Sequence, residues 1–571
     1  MFVPAFKKNT NMKLRFITPF IFLLALLPLS AQVTLVSNIN PGVGAGSIPD
    51  RLFMFNGKIH FFADDGTNGA ELWAYDGTNT PTMVADLNAG AGSSQAYADY
   101  AIFNSKLYFG GYESVYGNEV YEYDGVNPPV RISDICAGSC NSIPYGFTVM
   151  NGKLYFAANG PGNDYELYVY DGVNPPTLVY DINPTGSSSP YELIVFNGKL
   201  YFRANADAGV SGSELWVYDG VNTPSMVMDI YPGSISSTPR QLFIFNNKLY
   251  FNAATNDGRE LWVYDGVNSP SMVVNLAPGF ASSEPQYFME YNGKLIFNAE
   301  VSPYGMELWQ YDGVNTPTMI SDINPGTDIS STPRYLTLYN NQLFFRATEQ
   351  TSGREIWKYD GTNPPTLVAD INPGNASSTL DWNLSTRKNM WVINGKLVFA
   401  ANDGTVDEEL YEYYFCPLAN TVTQNGLVLT ATETGATYQW IDCNNSNQPI
   451  AGETNQTFTA TTNGNYAVII SNGTCSDTSA CTAINSVGIT ETSAHFNLSI
   501  YPNPTTEFIT IALNEIPVDA TMELINPIGQ VISTRQMNQK NTLIQLPANP
   551  GLYFIRLTIE GNSQTTKIIK Q

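Results

Sequence analysis

The sequence predicts an all-β chain: an eight-bladed β-propeller closed by its own N-terminal strand, followed by two small β-sandwiches. Three observations lead there. A unit headed by a glutamate recurs eight times, at Glu71, Glu119, Glu166, Glu214, Glu260, Glu307, Glu355 and Glu409, with spacings of 46–54 residues, the period of a propeller blade. Glycine (46) and proline (35) are abundant and only 14% of the 571 residues are charged, which suits short strands joined by tight turns. No segment carries the 3.6-residue apolar period of a long helix.

The first segment reads as an address. Lys7, Lys8, Lys13 and Arg15 precede an apolar run over 16–29 that ends in Leu29-Ser30-Ala31. A basic start, a short apolar stretch and small residues before the cut describe a secretory signal peptide over 1–31. Pro19 and Pro28 interrupt the run, and it is too short to span a bilayer comfortably. No later stretch is long and apolar enough to span one.

One unit shows how the rest are built. Tyr191–Phe196 is apolar and β-prone, and Asn197-Gly198 is a two-residue hairpin signal because both positions accept positive φ. Residues 199–204 return as a second strand. A variable polar loop leads to a third strand at 214–218, and Asp219-Gly220 opens the turn to a fourth at 226–230. Pro232-Gly233 and Ser236-Ser237 then lead into the next copy. Four strands per repeat is blade architecture.

The two ends are complementary. Thr34-Leu35-Val36-Ser37-Asn38-Ile39-Asn40-Pro41-Gly42 matches Thr366-Leu367-Val368-Ala369-Asp370-Ile371-Asn372-Pro373-Gly374, the fourth strand of a unit, while the last unit stops after its third strand at 409–415. The N-terminal strand is therefore expected to complete the last blade, which removes two open sheet edges.

The recurring residues Glu71, Trp73 and Asp76, then Glu214, Trp216 and Asp219, then Glu260, Trp262 and Asp265, are expected to be structural. Tryptophan becomes tyrosine in three units (Tyr121, Tyr168, Tyr411). A residue repeated once per blade is expected to pack blade against blade, and Asp-Gly is a turn former. Glu-Leu-Trp-x-x-Asp-Gly followed by Asp-Ile-Asn-Pro-Gly resembles the ELWxxDGT repeat of secreted bacterial propeller-like proteins, over about residues 33–415. The last unit departs from it, with Tyr414-Phe415 in place of Asp-Gly. The resemblance transfers no catalytic residue.

The net charge is −24, and residues 32–415 hold 41 of the 51 acids against 18 of the 27 bases. Such a surface repels phosphate backbones, so nucleic acid is excluded as a partner. With His60 and His495 the only histidines, no multi-histidine metal site can form. Neither Gly-x-Ser-x-Gly, His-Glu-x-x-His nor a Walker-type loop occurs. No catalytic, metal or cofactor residues are therefore assigned, and the ring is not expected to be an enzyme. Asp64, Asp65, Asp207, Asp257, Asp403 and Asp407 lie in strand two–three loops, where calcium is conceivable although no loop spells a calcium motif.

From Cys416 to Thr490 there is no Lys or Arg, and Thr, Asn and Ser dominate. Strands are expected at 427–431, 437–441, 457–460 and 465–470. Trp440 with Gly464-x-Tyr466-x-Val468 resembles an immunoglobulin-like sandwich over 416–489, expected to act as a spacer. Cys416, Cys443, Cys475 and Cys481 fall in or beside it, and Cys136 and Cys140 share one inter-blade loop. In an exported chain these point to disulfides.

Residues 490–571 read as a linker and a last module. Tyr501-Pro502-Asn503-Pro504, then Gly551-Leu552-Tyr553, then the basic terminal strand with Lys567 and Lys570 resemble, in that order, the type A C-terminal sorting domain of the type IX secretion system of Bacteroidota. The resemblance implies export to the surface or medium through that machinery and loss of the tail on the way. The expected function is a secreted or cell-surface binding or adhesion protein whose glycan or protein ligand the sequence leaves open. A propeller glycosidase or lyase, or a purely structural surface component, are the alternatives. The varied strand two–three loops share one face of the ring and are the expected binding side.

Overall fold

The computed structural model describes residues 33–42, 45–206, 212–378, 390–416, 418–445, 447–473, 475–485, 497–515 and 518–571, with the side chains of 95–98 excepted. The signal-peptide reading, Asp207 and the polar stretch 486–494 lie outside them. Two compact units divide the chain, Met1–Phe415 and Cys416–Gln571.

The described residues are all-β, apart from one short 3-10 turn at Cys443–Asn445. In the first unit they form eight four-stranded antiparallel sheets, seven of them consecutive meanders such as Tyr191–Phe196, Lys199–Asn205, Ser213–Tyr218 and Ser225–Met228. The eighth takes Met390–Ile393, Lys396–Ala401 and Glu409–Tyr414 from the end of the unit and Val33–Ser37 from its start. Val33 pairs with Tyr413 and Leu35 with Tyr411. First strands lie next to one another from the second sheet through the eighth and on to the first, while fourth strands are partly exposed and bury no residue fully.

Local chemistry explains the meander. At the first turn Asn197 has φ 49° and Gly198 φ 74°, the left-handed pair that matches strand twist. At the second turn Asp219 Oδ1 accepts the amides of Val221 and Asn222, and Asn222 Nδ2 donates to Asp219 Oδ2, so the Asp-Gly-x-Asn turn caps itself. These turns also touch between sheets. Asn394 Nδ2 of the eighth sheet donates to Asp76 O of the first at 2.9 Å, and a Cβ on Gly77 would lie 2.5 Å from that nitrogen. Glycine serves there for close approach as well as for φ.

Second strands read as continuous apolar runs because both their faces are covered. Leu200, Tyr201 and Phe202 are all at most 2% exposed, each contributing roughly 1.5–3 kcal/mol by burial. Trp216 and Trp262 lie in cores shared with the preceding sheet. The core that joins the first and eighth sheets contains Ile39, Phe61, Tyr75, Ile393 and Leu410, and Tyr75 Oη donates to Glu412 Oε2 at 3.0 Å.

In the second unit, residues 418–485 form a three-stranded and a five-stranded sheet over a core centred on Trp440. Trp440 stacks on Phe458 and donates Nε1–H to Asn455 O. Disulfides join Cys416 to Cys475 and Cys443 to Cys481, and in the first unit Cys136 to Cys140. The strands at Val422–Asn425, Gln448–Pro449, Ser476–Thr478 and Thr482–Ile484 lack the apolar alternation that would reveal them in sequence. The last module, from Leu498, pairs a three-stranded with a four-stranded sheet around Ile509, Ile511, Leu524, Ile555 and Ile568.

Candidate functional site

The repeated glutamate is a clamp. Each is at most 2% exposed, and its carboxylate accepts backbone amides from the loop after the fourth strand. Glu260 takes Leu276 N at 3.0 Å, Ser283 N at 3.0 Å and Ser283 Oγ at 2.5 Å. Instead of packing sheet on sheet, it ties the third strand to the connection that starts the next unit. In the eighth unit the loop so held is the N-terminal one: Glu409 takes the amides of Ile39, Asn40 and Ser47. Burial pushes all eight carboxyls upward, Glu355 to about 7.

The residues after each clamped serine carry the unusual backbone. Ser-x-Pro occurs at Ser47, Ser142, Ser188, Ser237, Ser283 and Ser331. The residue before each proline has positive φ: Ile48, Ile143, Ser189, Thr238, Glu284 and Thr332 at 42–48°. Two residues past each proline the backbone is left-handed again, at Arg51, Gly146, Glu192, Gln241, Tyr287 and Tyr335, φ 57–73°. A β-bulge breaks the first strand at that point, as between Tyr191 and Ile194. A non-glycine residue in this region is costly, by about 1–3 kcal/mol, and five of these six are not glycine.

Groups at and beside these positions reach from one sheet's first strand to the next. Gly146 N donates to Asp99 Oδ2 at 2.9 Å and Tyr287 N to Gln241 Oε1 at 3.0 Å. Glu192 accepts the amides of Gln241 and Leu242, and burial raises its carboxyl. Between Glu192, Gln241, Tyr287 and Tyr335 lies a small open cavity of about 140 Å³, which Leu242 and Phe243 also line. First strands start, and second strands end, on the face of the strand two–three loops.

Among the loop acids, Asp64, Asp65 and Asp403 serve their own backbone, while Asp407 accepts the Asn402 side chain. Burial is the largest single influence on the Asp65 carboxyl and pushes it up, but its bonds from the amides and side chains of Thr67 and Asn68 together outweigh that and carry it down to about 2. Asp403 accepts Thr405 N. Asp164, Glu166 and Asp181 are the one group of carboxylates among the described residues whose ligand atoms converge, within 4.8 Å. Glu166 already accepts Ile182 N, Ser188 N and Ser188 Oγ.

His60 is 2% exposed and stacks near Phe53 at 5.6 Å. Burial pushes its pKa from 6.5 down to about 4. The unfolded chain takes a proton near pH 6.5 that the folded chain refuses until about 4, so this stability is present above 6.5 and lost as pH falls to 4. Glu355 acts in the opposite sense: its contribution is present below 4.5 and lost as pH rises through about 7. His60→Phe is therefore expected to gain in Tm relative to the parent as pH falls from 7 to 4.5. A gap that stays constant over that range would remove His60 from this account.

The tail motif closes on its own last strand. Asn503 Nδ2 donates to Lys567 O at 2.7 Å and Asn503 Oδ1 accepts Ile569 N at 2.8 Å, so one side chain imitates a strand. Tyr501 is exposed beside Pro502 and Pro504, and Thr505 N donates to Ile569 O. Gly551 opens the strand that carries Tyr553, whose hydroxyl donates to Asn549 O. Lys567 is exposed, whereas Lys570 is buried with Nζ on Pro547 O.

Residues 499–571 match the family model described as the secretion system C-terminal sorting domain. The protein is a secreted or cell-surface one. Its tail implies the type IX secretion machinery as partner, and among the described residues no helix is long and apolar enough to cross a membrane. No curated protein matches the chain. Solved structures resemble it at low identity. A puromycin-hydrolyzing peptidase of Mycobacterium tuberculosis shares 9% identity at TM-score 0.40, over 67% of this chain and 63% of the peptidase. The β-propeller domain of the Trilobed protease of Pyrococcus furiosus shares 10% at 0.33, over 56% and 94%. The BP39L lectin of Burkholderia pseudomallei shares 10% at 0.36, over 60% and 100%. The chain thus spans less than two thirds of the length of that peptidase.

Proposed function

We propose that residues 33–415 form a closed eight-bladed propeller of ELWxxDGT-type repeats. It works as a non-catalytic binding platform outside the cell, with an Ig-like spacer at 416–489 and a cleaved signal peptide at 1–31. Closure is supported by the Val33–Ser37 pairing, the Glu409 clamp and the Asn394–Asp76 bond. The binding role rests above all on the cavity at the first-strand entrances, rimmed by left-handed non-glycine residues. Strain of that kind persists where surrounding structure fixes side chains for use.

The glycosidase alternative has one feature in its favour. Glu192 is raised by burial, and the charge of Asp99 contributes to that. Both carboxylates, however, are committed to backbone amides of the neighbouring sheet, which suits a scaffold better than an acid and a base that must exchange protons. The test is to apply the full chain to a panel of immobilised polysaccharides and to assay the same panel for released ends. Retention without release is expected. Release abolished by Glu192→Gln would replace the platform by an enzyme.

A further inference from the structure

Asn38 departs from its equivalents in other units. The loop after the fourth strand begins with an aspartate at Asp86, Asp134, Asp229 and Asp370, and each carboxylate accepts the amide of the glycine four residues on, at 3.0–3.2 Å. In the eighth sheet the residue there is Asn38, and Gly42 N goes instead to Asn40 Oδ1 at 3.3 Å. The Asn38 side chain is exposed and makes no hydrogen bond among the described residues. A group that elsewhere caps its own loop is here released from that work.

Asn38 lines a cavity of about 490 Å³, within the roughly 300–1,000 Å³ of small-ligand pockets. The other walls are Asn372, after the fourth strand of the seventh sheet, and Asn402, Thr405, Val406 and Asp407 from the strand two–three loop of the eighth. Several of these groups already bond within the protein. Asn402 Oδ1 accepts Gly404 N at 2.7 Å, Asn372 Nδ2 donates to Ser377 O at 3.2 Å, and Thr405 Oγ1 donates to Asp403 Oδ1 at 2.6 Å. Each bond leaves capacity over: Asn372 keeps its oxygen and a second amide hydrogen, and Thr405 keeps its lone pairs. Asp407 receives only a long bond from Asn402 Nδ2, at 3.4 Å on Oδ1. No lysine or arginine lines the cavity, so an anionic group would go unanswered. One lining carboxylate falls well short of the several oxygen ligands that calcium takes.

We propose that this cavity binds one or two residues of a neutral saccharide, their hydroxyls on Asn38, Asn372 and Asp407 and a ring face against Val406. The proposal rests on the reading of the chain as a binding platform and gives it a second, larger site. A sugar hydroxyl both donates and accepts, and amide side chains beside a carboxylate offer both partners. The walls also depend on closure. Asn38 stands beside Asn402 and Asp407 only while Val33–Ser37 is paired with Glu409–Tyr414. A sugar that binds only the closed form therefore holds the N-terminal strand in its sheet by mass action.

The experiment titrates the full chain, with a chelator present, with glucosyl, galactosyl and mannosyl disaccharides and the uronic counterpart of each. At least one neutral disaccharide should bind, and its uronic counterpart at least tenfold more weakly. Asn38→Asp restores the residue of the other units, so the loop keeps its cap, and should weaken the neutral sugar at least tenfold; Asn38→Ala should do the same. Mild digestion gives a second readout. With the sugar at ten times its Kd, release of the segment around Val33–Ser37 should slow about tenfold, and in Asn38→Asp far less at that concentration. Uronic forms bound as tightly as neutral ones, or binding that needs calcium in place of the chelator, would overturn the neutral-sugar assignment. Affinity unchanged in both variants, or saturation without protection, would overturn the site and leave the platform standing. So would a chain that binds no disaccharide yet is retained by the polysaccharide panel. A blank in both experiments would overturn the site and the platform together.

Discussion

Replacing Glu409 by alanine is expected to unfasten the N-terminal strand from the sheet that it completes. Four donors converge on that carboxylate, the amides of Ile39, Asn40 and Ser47 and the Ser47 hydroxyl, and all are buried. Orphaned buried donors cost about 1–3 kcal/mol each, and after local relaxation the loss should be about 3–5 kcal/mol. Glu409→Gln should be nearly as harmful although it keeps the shape, because its amide group turns a donor toward donors. Glu260→Ala is the control. It breaks three corresponding bonds, from Leu276 N, Ser283 N and Ser283 Oγ, but both partners there belong to a continuous chain. Glu409→Ala should therefore add early proteolytic release of the segment around Val33–Ser37, read by N-terminal sequencing of fragments during mild digestion. Equal thermal loss and identical fragment patterns for the two variants would mean that the seam is no weaker than any other junction.

The repeating framework was legible because its signals are local. Asn-Gly and Asp-Gly-x-Asn fix turns within four residues, and strand bounds such as Tyr191–Phe196 follow directly. The export tail was legible as an ordered set of motifs, now matched over 499–571. The role of the repeated glutamate was not, since its partners lie 16 and 23 residues further along and nothing in the pattern ties them to it. The entrance site was missed for a different reason. Its signal was present as six Ser-x-Pro segments, but residue preferences argue against left-handed backbone at Ile48, Thr332 or Tyr287. Its side chains also differ from unit to unit. Glu192, Gln241, Tyr287 and Tyr335 each come from a different copy, so a search for a cluster inside one copy finds none. In a ring of repeats, the variable residue at an equivalent position is where individuality, and so recognition, can be placed.

Deleting residues 497–571 is expected to have the largest effect of all: near-complete loss of the protein from surface and medium, with a folded remainder held in the periplasm. The tail is a sandwich with its own core around Ile511, Leu524 and Ile555, so its removal takes away a unit that buries itself. Recognition and folding of the tail can be separated by single changes. Asn503→Ala removes the donor to Lys567 O and the acceptor for Ile569 N, about 1 kcal/mol for each bond, and should free the last strand. Lys570→Ala removes a buried ammonium from Pro547 O and should likewise loosen the module. Lys567 is exposed, so Lys567→Ala should leave the fold intact. Export should then fall with Asn503→Ala and Lys570→Ala in proportion to the melting of the tail, whereas any loss with Lys567→Ala would report a contact made by the secretion machinery. Fractionation of cells expressing each variant, with an antibody to the ring, measures all of them. If the truncated chain reaches the medium in parental amounts, and does so only in cells with a working type IX apparatus, the address lies elsewhere in the chain and the last module is an ordinary β-sandwich.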